Sequence, residues 1–480
     1  MAKNFGVGEV MDAFNIANIL TISSVSVISA AITTVLIPIL TKKENLIEEA
    51  ESINTYISTL LVLCVIFVSG LIIIGEPLIK LFTLNHNQSV QVLTLQLTII
   101  FAISQIFKVI TGISTAFFQI SNDFIRPKNA GLLAIIISIS YFFISSEPNI
   151  YGIAITIGLS FLVEIAYLLI MQRKIEFKFR FTFKLSNPTF RLLVKNTFPI
   201  ILSSAAFQLS IVFANFIASY FGEGYVSIYG YSNQIVSIIH GLIIVNIIMM
   251  LYPTIAKKFE ENILDAKRSL VQYINLTNLL VIPIVFGFLA VGDILIQVLF
   301  ERGNFTSENT KEVYIVSAIL FLAFPFNTMR DYVYRSFYSL KDTKTPARNS
   351  IMVVGITLIL IVALTPLLKF YSVAVAPVLT SVISLIFSSI KLKKKIGTLD
   401  DNGSLLKNSI LVTVSSIIMS LILLLVKVYL FDEYQLFPLI KLIILVVIGV
   451  ALYLPMVYFT QKKLIQDSVF NKYKRKEGEV

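Results

Sequence analysis

Tryptophan is absent from this chain, cysteine occurs once, histidine twice, and charged residues make up only 14%. Each shortage removes a class of function. The lone Cys64 cannot close an internal disulfide, and in its apolar run a packing role suffices. Two histidines, His86 and His240, with one cysteine supply no His/Cys set for zinc. There is no phosphate-cradling Gly-x-x-x-x-Gly-Lys-Ser/Thr loop and no Gly-x-Ser-x-Gly elbow. No loop is long enough to house a soluble domain, and an ordinary soluble domain carries roughly 25% charged residues. The expected protein is therefore not an enzyme. A membrane-embedded transferase, which would need a His or acidic pair at a membrane face, is kept as an alternative.

What is abundant is hydrocarbon: 56% of residues are apolar and the mean hydropathy is +0.85. Runs of about 20 apolar residues predict helices near 14–40, 56–81, 90–118, 130–146, 150–171, 198–221, 226–253, 272–300, 312–338, 350–368, 371–391, 407–430 and 437–459. The expected fold is an all-α, polytopic integral membrane protein with about 13 transmembrane helices. Met1 to Asn4 leads into glycines and Asp12, not into the smooth apolar core of a cleavable signal.

Lysines and arginines fall at alternate loops: Lys42 and Lys43, Arg126 and Lys128, Arg173 to Lys195, Lys257 to Arg268, Lys341 to Arg348, Lys391 to Lys395, and Lys462 to Lys476. The positive-inside rule places these loops, and the C-terminus, in the cytoplasm. The net charge of +11 is then mostly loop bias. No basic, aromatic-laced soluble domain points to nucleic acid.

The sequence nearly repeats itself at an offset of about 215 to 220 residues. Phe5-Gly6-Val7-Gly8 returns as Phe221-Gly222-Glu223-Gly224, and Leu36-Ile37-Pro38 as Leu251-Tyr252-Pro253. Gly75 to Phe82 returns loosely as Gly292 to Phe300, and Phe117-Phe118 ahead of Pro127 as Phe337-Tyr338 ahead of Pro346. Two homologous halves are a common build of secondary transporters. Phe198 to Tyr220 precedes the second Phe-Gly-x-Gly, while only Met1 to Asn4 precedes the first. The expectation is two lobes of six helices, the first lacking its first helix, followed by two extra helices. The expected boundaries are 1–185, 186–398 and 399–480.

Ionisable and amide side chains inside apolar helices are the candidate site, because a charge at mid-membrane faces a cavity or a partner. Lys108 reads either as a contact for an anionic head group in a cavity between the lobes or as half of an ion pair, with Glu164 the natural partner. Asn233, Gln234 and His240 lie on one long helix and read as helix-packing or cavity-lining groups. Lys427 and Lys441, close to helix ends, read as snorkelling lysines. Asp12 and Arg302 read as loop or gate residues. Gly6, Gly8, Gly222 and Gly224 read as tight turns.

Three stretches carry a family likeness. Gly6-Val7-Gly8-Glu9-Val10-Met11-Asp12-Ala13-Phe14 resembles the segment after the first helix of MurJ/MviN-type lipid II flippases. Leu299-Phe300-Glu301-Arg302-Gly303-Asn304-Phe305-Thr306 is similar to their "LFERGxFT" stretch, and Arg335 to Pro346 to their "RxFYALxDTKTP" stretch. The resemblance implies fourteen helices in two lobes plus a C-terminal pair. It also implies a flippase that moves a polyprenyl-pyrophosphate-linked saccharide across the bacterial plasma membrane by alternating access. The family grips the pyrophosphate with arginines, yet no arginine precedes Arg126 here, and the family's Tyr-Ala-Asp-Arg stands as Tyr231-Ser232-Asn233-Gln234.

The substrate-contact candidates are thus Lys108, Glu164, Asp12, Gln234 and Asn233. Asn327 and Asp331, four residues apart on one helix face, resemble the family's sodium-binding Asn/Asp pair. The further acidic ligand of that site aligns beside Asn215. Arg330 or Arg335 is the competing partner for Asp331. No cofactor is expected beyond a coupling Na+ or H+; the expected partners are the lipid-linked saccharide and membrane lipids, and the expected state is a monomer. A MATE-like small-molecule or cation antiporter is the alternative within transport. Its cavity calls for acids, whereas Lys108 and neutral amides lead here.

Overall fold

A computed structural model of the chain describes residues 1–32, 50–121, 123–172, 179–399, 403–431 and 436–462. The Leu36-Ile37-Pro38 and Lys42-Lys43 landmarks, Arg173, Asp400 to Asn402 and most of the basic tail lie outside the described residues. Within them every regular element is a helix, since in lipid a helix satisfies each backbone amide and carbonyl internally. The order is α1 (Ala2–Phe5), α2 (Glu9–Ala31), α3 (Ala50–Ile73), α4 (Gly75–Phe82), α5 (Gln88–Ile120), α6 (Ile125–Ile144), α7 (Ile150–Gln172), α8 (Pro188–Tyr220) and α9 (Tyr225–Ile239). After a π-helical segment, His240–Val245, come α10 (Asn246–Glu261), α11 (Ile263–Phe300), α12 (Ser307–Phe321), α13 (Phe324–Ser339) and α14 (Lys344–Leu368). A 3-10 turn, Lys369–Tyr371, leads to α15 (Ser372–Ile396), α16 (Ser404–Phe431) and α17 (Pro438–Thr460).

Eleven described segments are long and apolar enough to cross a membrane, against the thirteen expected. The helices expected at 350–368 and 371–391 are both present, as α14 and α15; they pack against each other across the turn where Lys369 takes φ 49, and together make the one segment Lys344–Ile396. The helix expected at 198–221 is α8, whose apolar stretch Ser204–Tyr220 is shorter than the other spans. The helix expected at 312–338 is interrupted ahead of Pro325, which sits in the first turn of α13 where its missing amide costs nothing.

The chain forms two compact units that divide elsewhere than expected. The first is Gly8–Ser227; the second joins Met1–Val7 to Ile228–Val480. The expected boundary at 185/186 falls inside the first unit, because α8 packs there against α2 and α3. The Tyr56 hydroxyl, fully buried on α3, meets the Thr197 hydroxyl of α8 at 2.7 Å, and the Phe82 and Phe216 rings meet edge to face at 5.4 Å. The two C-terminal helices pack on α11 within the second unit. The Lys427 ammonium binds Asp293 of α11 at 2.5 Å, so Lys427 is ion-paired across a helix interface where snorkelling was expected.

The repeated Phe-Gly-x-Gly turns follow this division. In the first unit the Asn85 side-chain amide donates to the Tyr220 carbonyl. In the second unit Asn304, at the repeat offset, donates to the Asn4 carbonyl at 2.7 Å. Each half's turn is thus built into the unit formed mainly by the other half. Glycine is required at two of these positions. Gly6 (φ +57) and Gly303 (φ +61) are left-handed, and a Cβ on either would collide with the carbonyl oxygen of Asn304 or of Lys3. The Tyr231 hydroxyl, donating to the Gly6 carbonyl at 3.1 Å, completes the turn.

Candidate functional site

In the first unit, α5 and α7 approach closely because Gly158 faces Ser104, where an added Cβ would lie 3.2 Å from the serine Cβ. One to two turns further along, Lys108 reaches Glu164, with Nζ 3.0 Å from one carboxylate oxygen and 3.3 Å from the other. The ammonium also lies 4.9 Å from the centre of the Phe161 ring, in cation–π range. Lys108 is twelve residues, about 18 Å, from the end of α5 at Ile120, which is mid-membrane depth. The Glu164 side chain is 8% exposed and that of Lys108 44%. The two readings of Lys108 therefore coexist geometrically: its carboxylate partner is buried, while its own side chain stays partly exposed. A pair of this kind is neutral overall and leaves ammonium protons free for an anionic group.

Asp12 is not a loop residue. It stands in the first turn of α2 with a fully buried side chain. One oxygen accepts from the Ser227 amide at 2.7 Å and the Ser227 hydroxyl at 2.5 Å; the other accepts from the Gly224 amide at 2.6 Å. These amides open α9, so Asp12 caps a helix more than two hundred residues downstream, in charge-assisted bonds favoured by the helix dipole. His86 Nε2 approaches the same carboxylate at 3.4 Å. This geometry is that of a structural cap.

The remaining candidates separate. Asn233 donates back to the Tyr229 carbonyl of its own helix at 2.9 Å, and Ser232 to the Val313 carbonyl at 3.1 Å. Of the four residues Tyr231 to Gln234, only Gln234 presents an exposed side chain. It stands where the resemblance implies an arginine. Asn215 belongs to the first unit, whereas Asn327 and Asp331 belong to the second. The Asn215 side chain donates to the Ile211 carbonyl at 2.9 Å, and its buried carbonyl oxygen has no partner among the described residues. Asp331 pairs with its neighbour Arg330 at 2.9 Å and not with Arg335; the Arg335 guanidinium lies over the Tyr252 ring at 4.7 Å. Arg330 in turn stacks on Tyr334 at 5.5 Å. The Tyr334 hydroxyl accepts from Asn349, which also donates to Ser384. A polar chain so crosses α13, α14 and α15.

The two long motifs resolve into turns. In Phe300 to Thr306, Phe305 is buried against the Tyr231 and Phe300 rings at 5.3 and 5.7 Å, and the Glu301 carboxylate accepts from Thr310 at 2.6 Å. In Arg335 to Pro346, Lys341 takes φ 58, and Asp342 accepts from the amide and hydroxyl of Thr345 at 3.0 and 2.9 Å, capping α14. The hydrogen bond from Lys395 (2.8 Å) lowers the Asp342 carboxyl to about 2. These contacts end one helix and start the next. Asp293, a charge in the apolar run of α11, is itself the signal for a buried partner.

A family model described as lipid II flippase MurJ matches residues 1–446. A probable lipid II flippase MurJ of Rickettsia prowazekii (strain Madrid E) is 25% identical over 311 residues, spanning 64% of this chain and 61% of the relative. One from Buchnera aphidicola subsp. Baizongia pistaciae (strain Bp) is 25% identical over 400 residues, 79% of this chain and 76% of the relative. Among solved structures, a lipid II flippase MurJ in an inward closed conformation superposes with a TM-score of 0.81 at 22% identity, covering 97% of this chain and 95% of that one. An inward-facing multidrug resistance MATE family transporter of the MOP superfamily gives 0.64 at 13% identity, covering 84% and 98%. At these identities the solved structures speak to the fold, and the family model, which runs through both repeats and both long motifs, speaks to descent: the chain belongs to the lipid II flippase MurJ family.

Proposed function

We propose that this multi-pass membrane protein is a flippase that carries a polyprenyl-pyrophosphate-linked saccharide, a lipid II-like cell-wall precursor, across the bacterial plasma membrane by alternating access. The family match over residues 1–446 carries this reading. The inventory of side chains supports it. The half-open Lys108 supplies positive charge at mid-membrane depth for the pyrophosphate, and exposed Gln234 supplies a neutral donor and acceptor for the sugar. The lipid tail stays in the bilayer, so only the polar head needs a protein-lined path. The test is complementation of a strain depleted of its lipid II flippase. Restored growth is the expected result. Failure by a protein that is abundant in the membrane would remove lipid II as cargo.

Transport is coupled to a Na+ or H+ gradient through Asp331 and Asn327, with Arg330 as the competitor for the carboxylate. A carboxylate and an amide suit a hard cation. Asp331→Asn is expected to abolish the dependence of transport on the ion gradient while leaving cargo binding intact. If it lowers only protein abundance, and transport per molecule keeps its ion dependence, Asp331 serves the Arg330 pair alone.

A further inference from the structure

The segment that joins α7 to α8 carries a pattern that transport does not use. Phe179-Arg180-Phe181-Thr182-Phe183-Lys184 alternates aromatic with basic or polar residues, the period-two signature of extended backbone. The segment pairs with a helix instead of a strand. The amides of Arg180, Thr182 and Lys184 donate to Asn54, Ser58 and Thr55 of α3 at 3.0, 3.2 and 3.3 Å. The Thr182 hydroxyl meets that of Thr55 at 3.5 Å, and the Lys184 ammonium meets Glu51 at 2.6 Å. With Thr182 and Lys184 turned to α3, the odd-numbered side chains turn away. Phe179, Phe181 and Phe183 are 43%, 61% and 50% exposed, and their rings meet edge to face at 6.5 and 5.0 Å.

The level of this ladder matters. It is pinned to the polar first turns of α3, Glu51 to Ser58, and not to the apolar body that follows. It therefore lies where a span leaves the hydrocarbon. The surface continues onto α8, where exposed Leu192, Val194 and Phe198 alternate with exposed Arg191 and Lys195. Large apolar side chains interleaved with cations fit one environment, the boundary between acyl chains and an anionic head-group layer. The positive-inside bias makes this the cytoplasmic leaflet.

We infer that Phe179–Lys184, with the first turns of α8, is an interfacial anchor that seats on anionic phospholipid, its phenylalanines at the acyl boundary and Arg180, Arg191 and Lys195 on lipid phosphates. This site is separate from the cargo path and does not depend on which saccharide is moved.

Because the sequence contains no tryptophan, Phe181→Trp creates a single fluorophore, with Phe179→Trp or Phe183→Trp as replacements on the same face. Phe67→Trp, in the apolar body of α3 and 46% exposed at that position, marks the deep level. Each variant, checked for monodispersity, is placed in phosphatidylcholine vesicles with and without phosphatidylglycerol, with chains brominated at shallow or deep positions. The expected result is quenching of the Phe181→Trp signal by shallow bromines, shielding from aqueous acrylamide, and deeper quenching when phosphatidylglycerol is present. Replacing Arg180, Arg191 or Lys195 by Gln should each reduce the seated-to-unseated ratio about fivefold in anionic vesicles. Three results overturn the inference. The fluorophore is open to acrylamide and blind to bromine; it answers only deep bromines, as Phe67→Trp does; or it is indifferent to phosphatidylglycerol. A soluble partner or a second copy on this face would give shielding from both quenchers, which also overturns it.

Discussion

Lys108→Ala will deplete the folded protein in the membrane, and Lys108→Ala with Glu164→Ala will restore its amount without restoring transport. Removing the lysine alone leaves the Glu164 carboxylate, 8% exposed, without its partner at mid-membrane depth. Deleting one member of a buried pair costs 3–5 kcal/mol, and about 3 kcal/mol is expected because Lys108 is itself 44% exposed and partly screened. Removing both side chains takes away the stranded charge along with the bridge. Detergent-solubilised, monodisperse protein measured by size exclusion reads the first effect; transport per molecule reads the second. If the single variant is as abundant as the parent, the pair is not structural. Normal transport per molecule by the double variant would take Lys108 out of the cargo path.

The second large effect is expected at Asp12. Asp12→Ala strands the amides of Gly224 and Ser227 in a buried site. Each charge-assisted bond is worth about 1.5–3 kcal/mol, so the loss of the two amide bonds is about 3–6 kcal/mol. Asp12→Asn, which keeps one acceptor oxygen, should fall between the two. The readout is the midpoint of thermal unfolding, with Gln234→Ala as a reference that shifts stability by less than about 0.5 kcal/mol because the side chain is exposed. An Asp12→Ala protein that is as stable as the parent yet inactive would instead put Asp12 in the cargo path.

These two sites differ in how far they could be read from sequence, and the reason is physical. Lys108 and Glu164 stand out because a charge in an apolar helix needs a partner, and few candidates exist. Asp12 stands beside a turn and invites a gate or loop reading; its true partners are backbone amides 212 and 215 residues away, which no side-chain pattern announces. Asp331 offered two arginines, and the i,i+4 geometry of a helix surface favoured Arg335. The Tyr252 ring on α10 engages Arg335 instead, and Arg330 takes the carboxylate. Lys427 near a helix end needed no partner on lipid grounds, so the tie to Asp293 stayed hidden. Apolar runs placed the helices well, but the π-helical segment at His240 and the break before Pro325 depend on how neighbouring helices pack. Four sequence landmarks suggested two halves; the division at Ser227 and Ile228 was not legible, because hydropathy cannot tell which helix α8 will choose.

The exchanged turns impose an order on biosynthesis. Asn4 leaves the ribosome well ahead of its partner: the amide that binds it belongs to Asn304, 300 residues later. At about 5–20 residues per second, that partner arrives some 15–60 s afterwards. Likewise Asp12 waits for Gly224 and Ser227. The first half of the nascent chain therefore cannot reach its final state when its own last helix emerges. Met1–Val7 must wait without these contacts until translation has passed Asn304. A ribosome stalled between the two repeats would thus release a protein with its first buried carboxylate still uncapped.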